Sequence, residues 1–162
     1  MKENPPRSIM FRATLCEIIK GNKILLKKAN RGVSKGKWNG LGGKIEDGEN
    51  ILENVLREVR EEAGIKLKEL KNHGKIIFFQ GSRDNIFGIV YLFSSKDYEG
   101  EIRESEEGEL KWFYLNEIPF DEMWEDDKIW LPLLLNDKKF DAEFLFDDKM
   151  EKILWYRIFL KD

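Results

Sequence analysis

Hydrophobic residues recur every three or four positions between Asn50 and Gly64, which is the spacing of a helix that buries one side. Asn50 and Glu53 fit the start of this helix, because the first side chain caps it and the second returns a hydrogen bond. Gly64 fits its end, because glycine readily adopts the left-handed conformation found there. At ~100° per residue, the buried side spans about 140° of the helix. It comprises Ile51, Leu52, Val55, Leu56, Val59 and Ala63.

Shorter apolar runs rich in β-branched and aromatic residues predict strands on both sides of this helix. A second helix is predicted over residues 123–136, although it contains Pro132. Residues 97–109 are acidic and polar, so we expect an exposed loop there, and residues 1–8 should form an irregular lead-in. Two helices among several strands predict one mixed α/β domain over residues 1–162. The predicted strands are 9–19, 23–28, 74–80, 85–94 and 110–115, with a closing antiparallel hairpin of 140–146 and 152–160.

Residues 29–43 form a glycine-rich connection between the second strand and the first helix. Glycine lets a loop bring its backbone close to a ligand. A flexible connector is the alternative interpretation. Trp38 argues against it, because a large aromatic side chain usually anchors a segment by packing.

Three glutamates gather on one side of the first predicted helix. Glu58 and Glu62 project within about 40° of each other, and Glu61 lies further round on the same side. Like charges at this spacing repel, so the arrangement favours a bound cation. Carboxylate oxygens prefer Mg²⁺, Mn²⁺ or Ca²⁺ to zinc, and Mg²⁺ commonly completes its coordination with substrate phosphates. A solvated acidic helix face remains the alternative at this point.

Composition narrows the range of functions. The 162 residues suffice for one domain with a sizeable core. The net charge of −3 gives no electrostatic case for binding long nucleic acid. Cys16 is the only cysteine, which excludes an internal disulfide and favours a reducing compartment. The start lacks the apolar core of a signal peptide, and no apolar run approaches the ~20 residues of a membrane span. We therefore expect a cytoplasmic monomer with no membrane partner.

The segment GKIEDGENILENVLREVREEAGI at 43–65 resembles the signature of the Nudix hydrolases. That signature is a glycine, five residues, a glutamate, seven residues, and then Arg-Glu-apolar-x-Glu-Glu-x-Gly-apolar. The resemblance implies a Nudix fold, an α/β/α sandwich around a mixed β-sheet, and a Mg²⁺ cofactor with Mn²⁺ as an alternative. The matching positions are Gly43, Glu49, Arg57, Glu58, Val59, Glu61, Glu62, Gly64 and Ile65.

The same resemblance implies roles for these residues. Arg57 and Glu49 are expected to form a structural pair that orients the acidic group. The expected catalytic residues are Glu58, Glu61, Glu62 and Glu107, and the same four, with the Gly43 carbonyl, are the expected metal ligands.

Outside the signature, the chain is similar to the eukaryotic-type MutT homologues, the oxidised purine nucleoside triphosphate hydrolases. The segments KGKWNGLGGKIEDGE and IPFDEMWEDDKIWLPLLLNDKKF carry this similarity. It implies that Trp124 stacks on a purine, that Asp126 and Asp127 contact its edge, and that Asn39 completes recognition. Trp130 and Phe78 would extend an aromatic pocket. The expected substrate-binding set is Thr14, Asn39, Gly42, Gly43, Phe78, Trp124, Asp126 and Asp127.

The two aspartates fit recognition of an oxidised purine. Normal guanine presents an acceptor at N7, which a carboxylate would repel, whereas oxidation at C8 makes that position an N–H donor. Two adjacent carboxyl groups that share a proton can both accept and donate. The alternative is a solvated pair in the first turn of a helix, where the helix dipole favours anions. Val33 and Ala29 depart from the aromatic residue and the lysine of the similar enzymes, which puts purine selectivity in question.

The resemblance implies hydrolysis of an oxidised purine nucleoside triphosphate, such as 8-oxo-dGTP, to the monophosphate and pyrophosphate. Such an activity would cleanse the nucleotide pool and protect DNA. One alternative is a Nudix enzyme that acts on ADP-ribose or a dinucleoside polyphosphate. Another is a non-catalytic nucleotide sensor, which is disfavoured because no signature glutamate is missing.

Overall fold

The strands form one mixed sheet with a helix on each face in a computed structural model, which describes residues 9–162. The predicted α/β/α sandwich is confirmed, while the predicted lead-in at 1–8 lies outside the described residues. The helices are α1 (Ile51–Ala63) and α2 (Asp127–Leu135). The strands are β1 (Phe11–Lys20), β2 (Lys23–Ala29), β3 (Trp38–Asn39), β4 (Lys66–Leu67), β5 (Lys71–Gln80), β6 (Ile86–Ser95), β7 (Tyr98–Glu99), β8 (Gly108–Tyr114), β9 (Lys139–Phe146) and β10 (Ile153–Lys161).

The main sheet has the order β10-β9-β5-β6-β1-β2-β3, and β8 also pairs with β2. The β1–β6 and β5–β9 pairs are parallel, and the other pairs are antiparallel. The predicted closing hairpin is present as β9 and β10. The short strands β4 and β7 pair separately. Neither α1 nor α2, the two α-helices of the described residues, is long and apolar enough to cross a membrane.

Each face of the sheet has its own hydrophobic core. On one face, Val55, Val59 and Ala63 of α1 pack with side chains that include Cys16. On the other face, α2 packs against a larger core that includes Trp130. The central strands carry apolar residues on both sides, because both of their faces are covered.

The ends of α1 are those predicted. The Asn50 side chain accepts a hydrogen bond from the Glu53 N–H at 2.8 Å, and Gly64 ends the helix at φ = 72°. The Glu53 carboxylate is the reciprocal partner, and it accepts a hydrogen bond from the Asn50 side-chain amide at 2.6 Å. The predicted buried arc is too wide, because Leu52 is 55% exposed and Leu56 is 39% exposed. Asn54 and Glu62 are buried instead, so the sheet covers a side of α1 that is more polar than periodicity indicated.

Two other predicted boundaries are wrong. The second helix begins at Asp127 rather than at residue 123, and a single 3-10 turn at Phe120–Glu122 precedes it. Between them, Met123 has an extended backbone and a buried side chain. The predicted loop at 97–109 contains β7 and the start of β8.

The strands β1 and β2 separate from each other and so create the space for a site. They pair only near their connecting turn, where Ile18–Lys20 face Lys23–Leu25. Further along, residues 40–45 lie beside β1 in place of β2 and form backbone hydrogen bonds with it. The backbone of residues 40–45 therefore borders the opening along β1.

Candidate active site

A cavity of about 450 Å³ opens where β1 and β2 separate. It extends from the glycine-rich connection to the start of α2. Every residue predicted to bind substrate lines it, namely Thr14, Asn39, Gly42, Gly43, Phe78, Trp124, Asp126 and Asp127.

Gly42 and Gly43 bring the backbone close to both β1 and α1. Gly42 has φ = +148°, and a Cβ atom there would lie 2.0 Å from the Thr14 carbonyl oxygen. A Cβ atom on Gly43 would lie 2.6 Å from the carboxyl carbon of Glu58. Any larger residue at these positions would push the connection away from the strand or from the carboxylate.

Glu58, Glu61 and Glu107 form an acidic cluster that adjoins the cavity beside its lining residues Gly43 and Lys27. Carboxylate oxygens of all three lie within 4.8 Å of one another. Glu61 is exposed, and the other two side chains are partly buried. Burial raises the pKa of Glu58, Arg57 opposes this effect, and the charge of Glu107 adds to it. The structure therefore brings together three of the four glutamates that were predicted to be catalytic.

Glu62 is the fourth predicted glutamate, and it lies apart from the acidic cluster. Only 1% of it is exposed. One carboxylate oxygen accepts the Gly42 N–H at 2.8 Å, and the other is paired with the ammonium group of Lys27. Burial raises the pKa of Glu62 to about 8, although Lys27 opposes the shift. The remaining predicted ligand, the Gly43 carbonyl, accepts the Thr14 N–H at 3.0 Å.

Arg57 holds the acidic cluster in place from the outside. Its Nε and Nη2 atoms donate to the two oxygens of Glu49 at 2.6 and 3.1 Å, which is the predicted pair in bidentate form. Its Nη1 atom lies 3.1 Å from Glu58 and 3.0 Å from Glu61. The hydrogen bond from Arg57 is the largest cause that lowers the pKa of Glu49, to about 2.

Asp126 and Asp127 form a buried aspartate pair at the α2 end of the cavity, with exposures of 2% and 4%. The alternative of a solvated pair is therefore wrong. Trp130 Nε1 donates to Asp126 Oδ2 at 2.7 Å, while Asp126 Oδ1 has no hydrogen-bond partner within residues 9–162. Burial raises the pKa of Asp126 to about 6. Burial and the Asp126 charge raise the pKa of Asp127 well above its ordinary value. Both pKa values are raised, so the pair favours a state in which the two carboxyl groups share a proton.

Aromatic side chains border the aspartate pair. Trp124 is partly buried, and its Nε1 atom donates to Ser34 Oγ at 2.9 Å. The Lys37 ammonium lies 5.2 Å from the ring centroid. Phe78 lines the cavity and stacks on Phe144. These contacts fix the orientation of the Trp124 ring beside the cavity.

A family model described as the NUDIX domain matches residues 10–134. The chain belongs to the Nudix hydrolase family. This Nudix hydrolase is 40% identical over 146 residues to the oxidized purine nucleoside triphosphate hydrolase of Mus musculus, and the match covers 90% of this chain and 92% of that protein. It is also 40% identical to the protein of the same name from Danio rerio, over 82% of this chain and 85% of that protein. A crystal structure of a MutT protein from Bacillus halodurans has a TM-score of 0.80 and 30% identity, over 91% of this chain and 97% of that chain.

The acidic cluster has the chemistry that a divalent metal requires. Nudix hydrolases typically need such an ion. Converging carboxylate oxygens are hard ligands that suit Mg²⁺ or Mn²⁺, and the cluster leaves room for water and phosphate oxygens. The cluster of this Nudix hydrolase therefore fits its family's cofactor class.

Two residues of this Nudix hydrolase that sequence reasoning missed support the predicted site. Lys27 is the cation beside Glu62, and it follows Leu25 on the same face of β2. The sequence signal for Lys27 is its position two residues after Leu25, where it continues the buried face of an apolar strand. Asn54 accepts a hydrogen bond from the Thr14 hydroxyl, and it donates to Lys44 O at 2.8 Å and to Glu49 at 2.9 Å. Thr14 thus lines the cavity with its hydroxyl bonded to α1.

The two departures from the similar enzymes both lie on the cavity wall of this Nudix hydrolase. Val33 is 59% exposed, and Ala29 is partly buried. A small side chain at each position leaves this part of the wall open, so a ligand meets less steric restriction there.

Proposed function

We propose that this protein is a divalent-metal-dependent 8-oxo-dGTP diphosphatase. It hydrolyses oxidised purine nucleoside triphosphates to a nucleoside monophosphate and pyrophosphate, and so cleanses the nucleotide pool. The proposal rests on one observation, namely that a cluster of three glutamates adjoins the Gly43 end of a cavity whose wall also contains a buried aspartate pair. A triphosphate with its metal ion would fit beside the cluster, and an oxidised base would fit beside the pair.

The aspartate pair supports selection of an oxidised purine. Asp126 Oδ1, which has no hydrogen-bond partner among residues 9–162, can accept the N7–H of an 8-oxopurine. The proton that the two carboxyl groups share can be donated to a base oxygen. Normal guanine has an acceptor at N7 and would face a carboxylate with no proton between them. Trp124 supplies a stacking surface, and base stacking on an aromatic side chain contributes about 1–3 kcal/mol.

The acidic cluster supports the chemical step. Glu58, Glu61 and Glu107 would hold Mg²⁺, with Mn²⁺ as an alternative, and Glu62 and the Gly43 carbonyl are further candidate ligands. When bound, the ion would neutralise phosphate oxygens and lower the pKa of the attacking water. Arg57 keeps the carboxylates of Glu58 and Glu61 in place, and one glutamate of the cluster takes the proton of the water.

The proposal also includes the cellular location, the oligomeric state and the domain organisation of the enzyme. We place it in the cytoplasm as a monomer with one domain over residues 1–162, acting on free nucleotides rather than on long nucleic acid. The apolar wall of the cavity and the net charge of −3 support a small-molecule substrate.

Steady-state hydrolysis of a nucleotide panel with Mg²⁺ tests the proposal. The panel contains dGTP, 8-oxo-dGTP, dATP, 2-oxo-dATP, ADP-ribose and a dinucleoside polyphosphate, with products separated by ion-exchange chromatography. We expect kcat/KM for 8-oxo-dGTP to exceed that for dGTP by at least about 10-fold, because a mismatched buried hydrogen bond costs about 1–3 kcal/mol. Equal values for dGTP and 8-oxo-dGTP would reject the pool-cleansing role while leaving a hydrolase. Faster turnover of ADP-ribose would favour the alternative substrate class.

A further inference from the structure

Lys27 is placed between the buried Glu62 and the acidic cluster. Its ammonium group is paired with Glu62 and lies 4.0 Å from a carboxylate oxygen of Glu107. Its charge also lowers the pKa of Glu58. The side chain is only 13% exposed, and it lines the cavity. One lysine therefore contacts or influences three of the four predicted catalytic carboxylates.

Glu62 depends on this lysine in the metal-free protein. Of its two oxygens, one is satisfied by the Gly42 N–H and, among residues 9–162, the other by Lys27. A buried carboxylate that loses its cation is strongly destabilising, because the charge is left without compensation unless the group takes up a proton. Without a metal ion, the ionised form of Glu62 therefore depends on Lys27.

A divalent ion at the acidic cluster changes this requirement. The ion would bring positive charge close to the same carboxylates and would repel an ammonium group that stays between them. Lysine has a flexible stem of four carbons, so its ammonium can move while β2 stays fixed. The cavity that it lines is the space where a phosphate chain would lie. Ala29, the next residue on this face of β2, offers no charge there.

We propose that Lys27 is an exchangeable counterion, which neutralises Glu62 in the metal-free enzyme and moves to the phosphate chain of the substrate when a divalent ion binds. Lys27 is therefore a positioning residue for the metal and a substrate-binding residue for the triphosphate. This inference rests on the proposed function, since it needs a metal and a polyphosphate at this site.

The first test compares thermal unfolding of the full chain with and without saturating Mn²⁺, in the absence of nucleotide. Without metal, Lys27→Met should lower the melting temperature on the order of 10 °C, because a buried ion pair loses one partner. With Mn²⁺, the deficit should shrink to less than half, because the ion takes over the role of the ammonium. Lys27→Arg should behave like the wild type in both conditions. Lys23→Met removes the same charge from the same strand, beside Tyr114 and away from the cluster, so its effect should not depend on Mn²⁺.

If Lys27→Met lowers the melting temperature equally with and without Mn²⁺, the pair of Lys27 and Glu62 is a permanent structural salt bridge. That result would overturn the inference. If Lys27→Met does not fold, the same comparison is made with Lys27→Gln, whose amide keeps one hydrogen bond to Glu62. A wild-type protein that Mn²⁺ does not stabilise would reject the metal site and with it the proposed function. If Mn²⁺ stabilises the wild type but Lys27→Met lowers the melting temperature equally in both conditions, only the proposed role of Lys27 is rejected and the metal site stands.

The second test measures binding of inorganic tripolyphosphate in the presence of Mn²⁺ by titration calorimetry. Lys27→Met should weaken binding by about 10-fold or more, since a charge-assisted hydrogen bond is lost, and Lys27→Arg should restore most of it. Equal affinity of the wild type and Lys27→Met would show that the ammonium never reaches the phosphates.

Discussion

The two ends of the cavity place carboxylates close together and neutralise them in different ways. At the acidic cluster, Arg57 contacts Glu58 and Glu61, and the Lys27 ammonium lies 4.0 Å from Glu107. At the aspartate pair, burial is the largest cause of both raised pKa values, and it favours a bound proton instead of a cation.

This difference determines what each group can bind. A carboxylate that is paired with a cation can exchange that cation for a metal ion. A carboxyl group neutralised by a proton can donate a hydrogen bond as well as accept one. Replacement of a carboxylate by its amide should therefore have different effects at the two ends of the cavity. An amide resembles a protonated acid, but it is a poor metal ligand.

Glu62→Gln gives the largest expected effect. The variant loses an anionic ligand and leaves Lys27 without its partner, so kcat should fall by about 10²–10⁴-fold on every substrate. Steady-state kinetics with saturating Mg²⁺ measures this. Glu53→Gln, at the exposed start of the same helix, is the control and should keep full activity. Near-normal turnover of Glu62→Gln would show that Glu62 is not a ligand of the catalytic metal.

The same replacement at the aspartate pair should alter selectivity more than turnover. In Asp126→Asn, an amide replaces the carboxyl group whose Oδ1 atom lacks a partner within residues 9–162, so the ratio of kcat/KM for 8-oxo-dGTP to that for dGTP should fall by about 10–100-fold. Asp127→Asn keeps the shape of the side chain and a hydrogen-bond donor beside Asp126, so it should change the ratio by less than about 3-fold. Equal loss of kcat on all substrates in either variant would contradict the division between the two ends.

Arg57→Lys keeps the charge beside the acidic cluster and removes the fork that binds Glu49. We expect kcat to fall by about 10-fold, because partners that orient metal ligands contribute roughly that factor. Arg60→Lys, on the exposed side of α1, is the matched control. An Arg57→Lys variant as active as this control would show that charge alone orients the cluster.

The smallest expected effect is on acid stability. The pKa of Glu49 is lowered to about 2 from an ordinary value of 4.5, so the folded state favours the ionised form. Stability from the Arg57 pair is fully present above pH 4.5 and is lost as the pH falls towards 2. The difference in melting temperature between the wild type and Glu49→Gln should therefore be constant near neutral pH and shrink in acid. Glu46→Gln, an exposed neighbour of Arg57, should show little difference at any pH.

The ends of α1 could be predicted from the sequence because they depend on local signals. The ends of α1 depend on Asn50, Glu53 and Gly64, which act within a few residues of the helix, so they can be read from the chain. Periodicity located the buried side only approximately, because it cannot show how far the sheet extends over α1. Leu52 and Leu56 lie on a part of α1 that the sheet leaves exposed.

Long-range contacts explain what the sequence could not predict. Glu62 meets a lysine that lies 35 positions earlier on a strand, and no local pattern joins the two residues. The start of α2 was misplaced for a similar reason. The buried Met123 side chain and the bond from Trp124 to Ser34 hold residues before Asp127 in a non-helical path, although their types are compatible with a helix.

The separation of β1 and β2 has a consequence for evolution. The entrance between them is held open by main-chain hydrogen bonds, so sheet integrity there does not depend on which side chains border it. Exposed border positions such as Val33 are free to vary with little penalty in folding. Substitutions at these positions could thus change which nucleotides the enzyme accepts during evolution, while the carboxylates and their counterions stay unchanged.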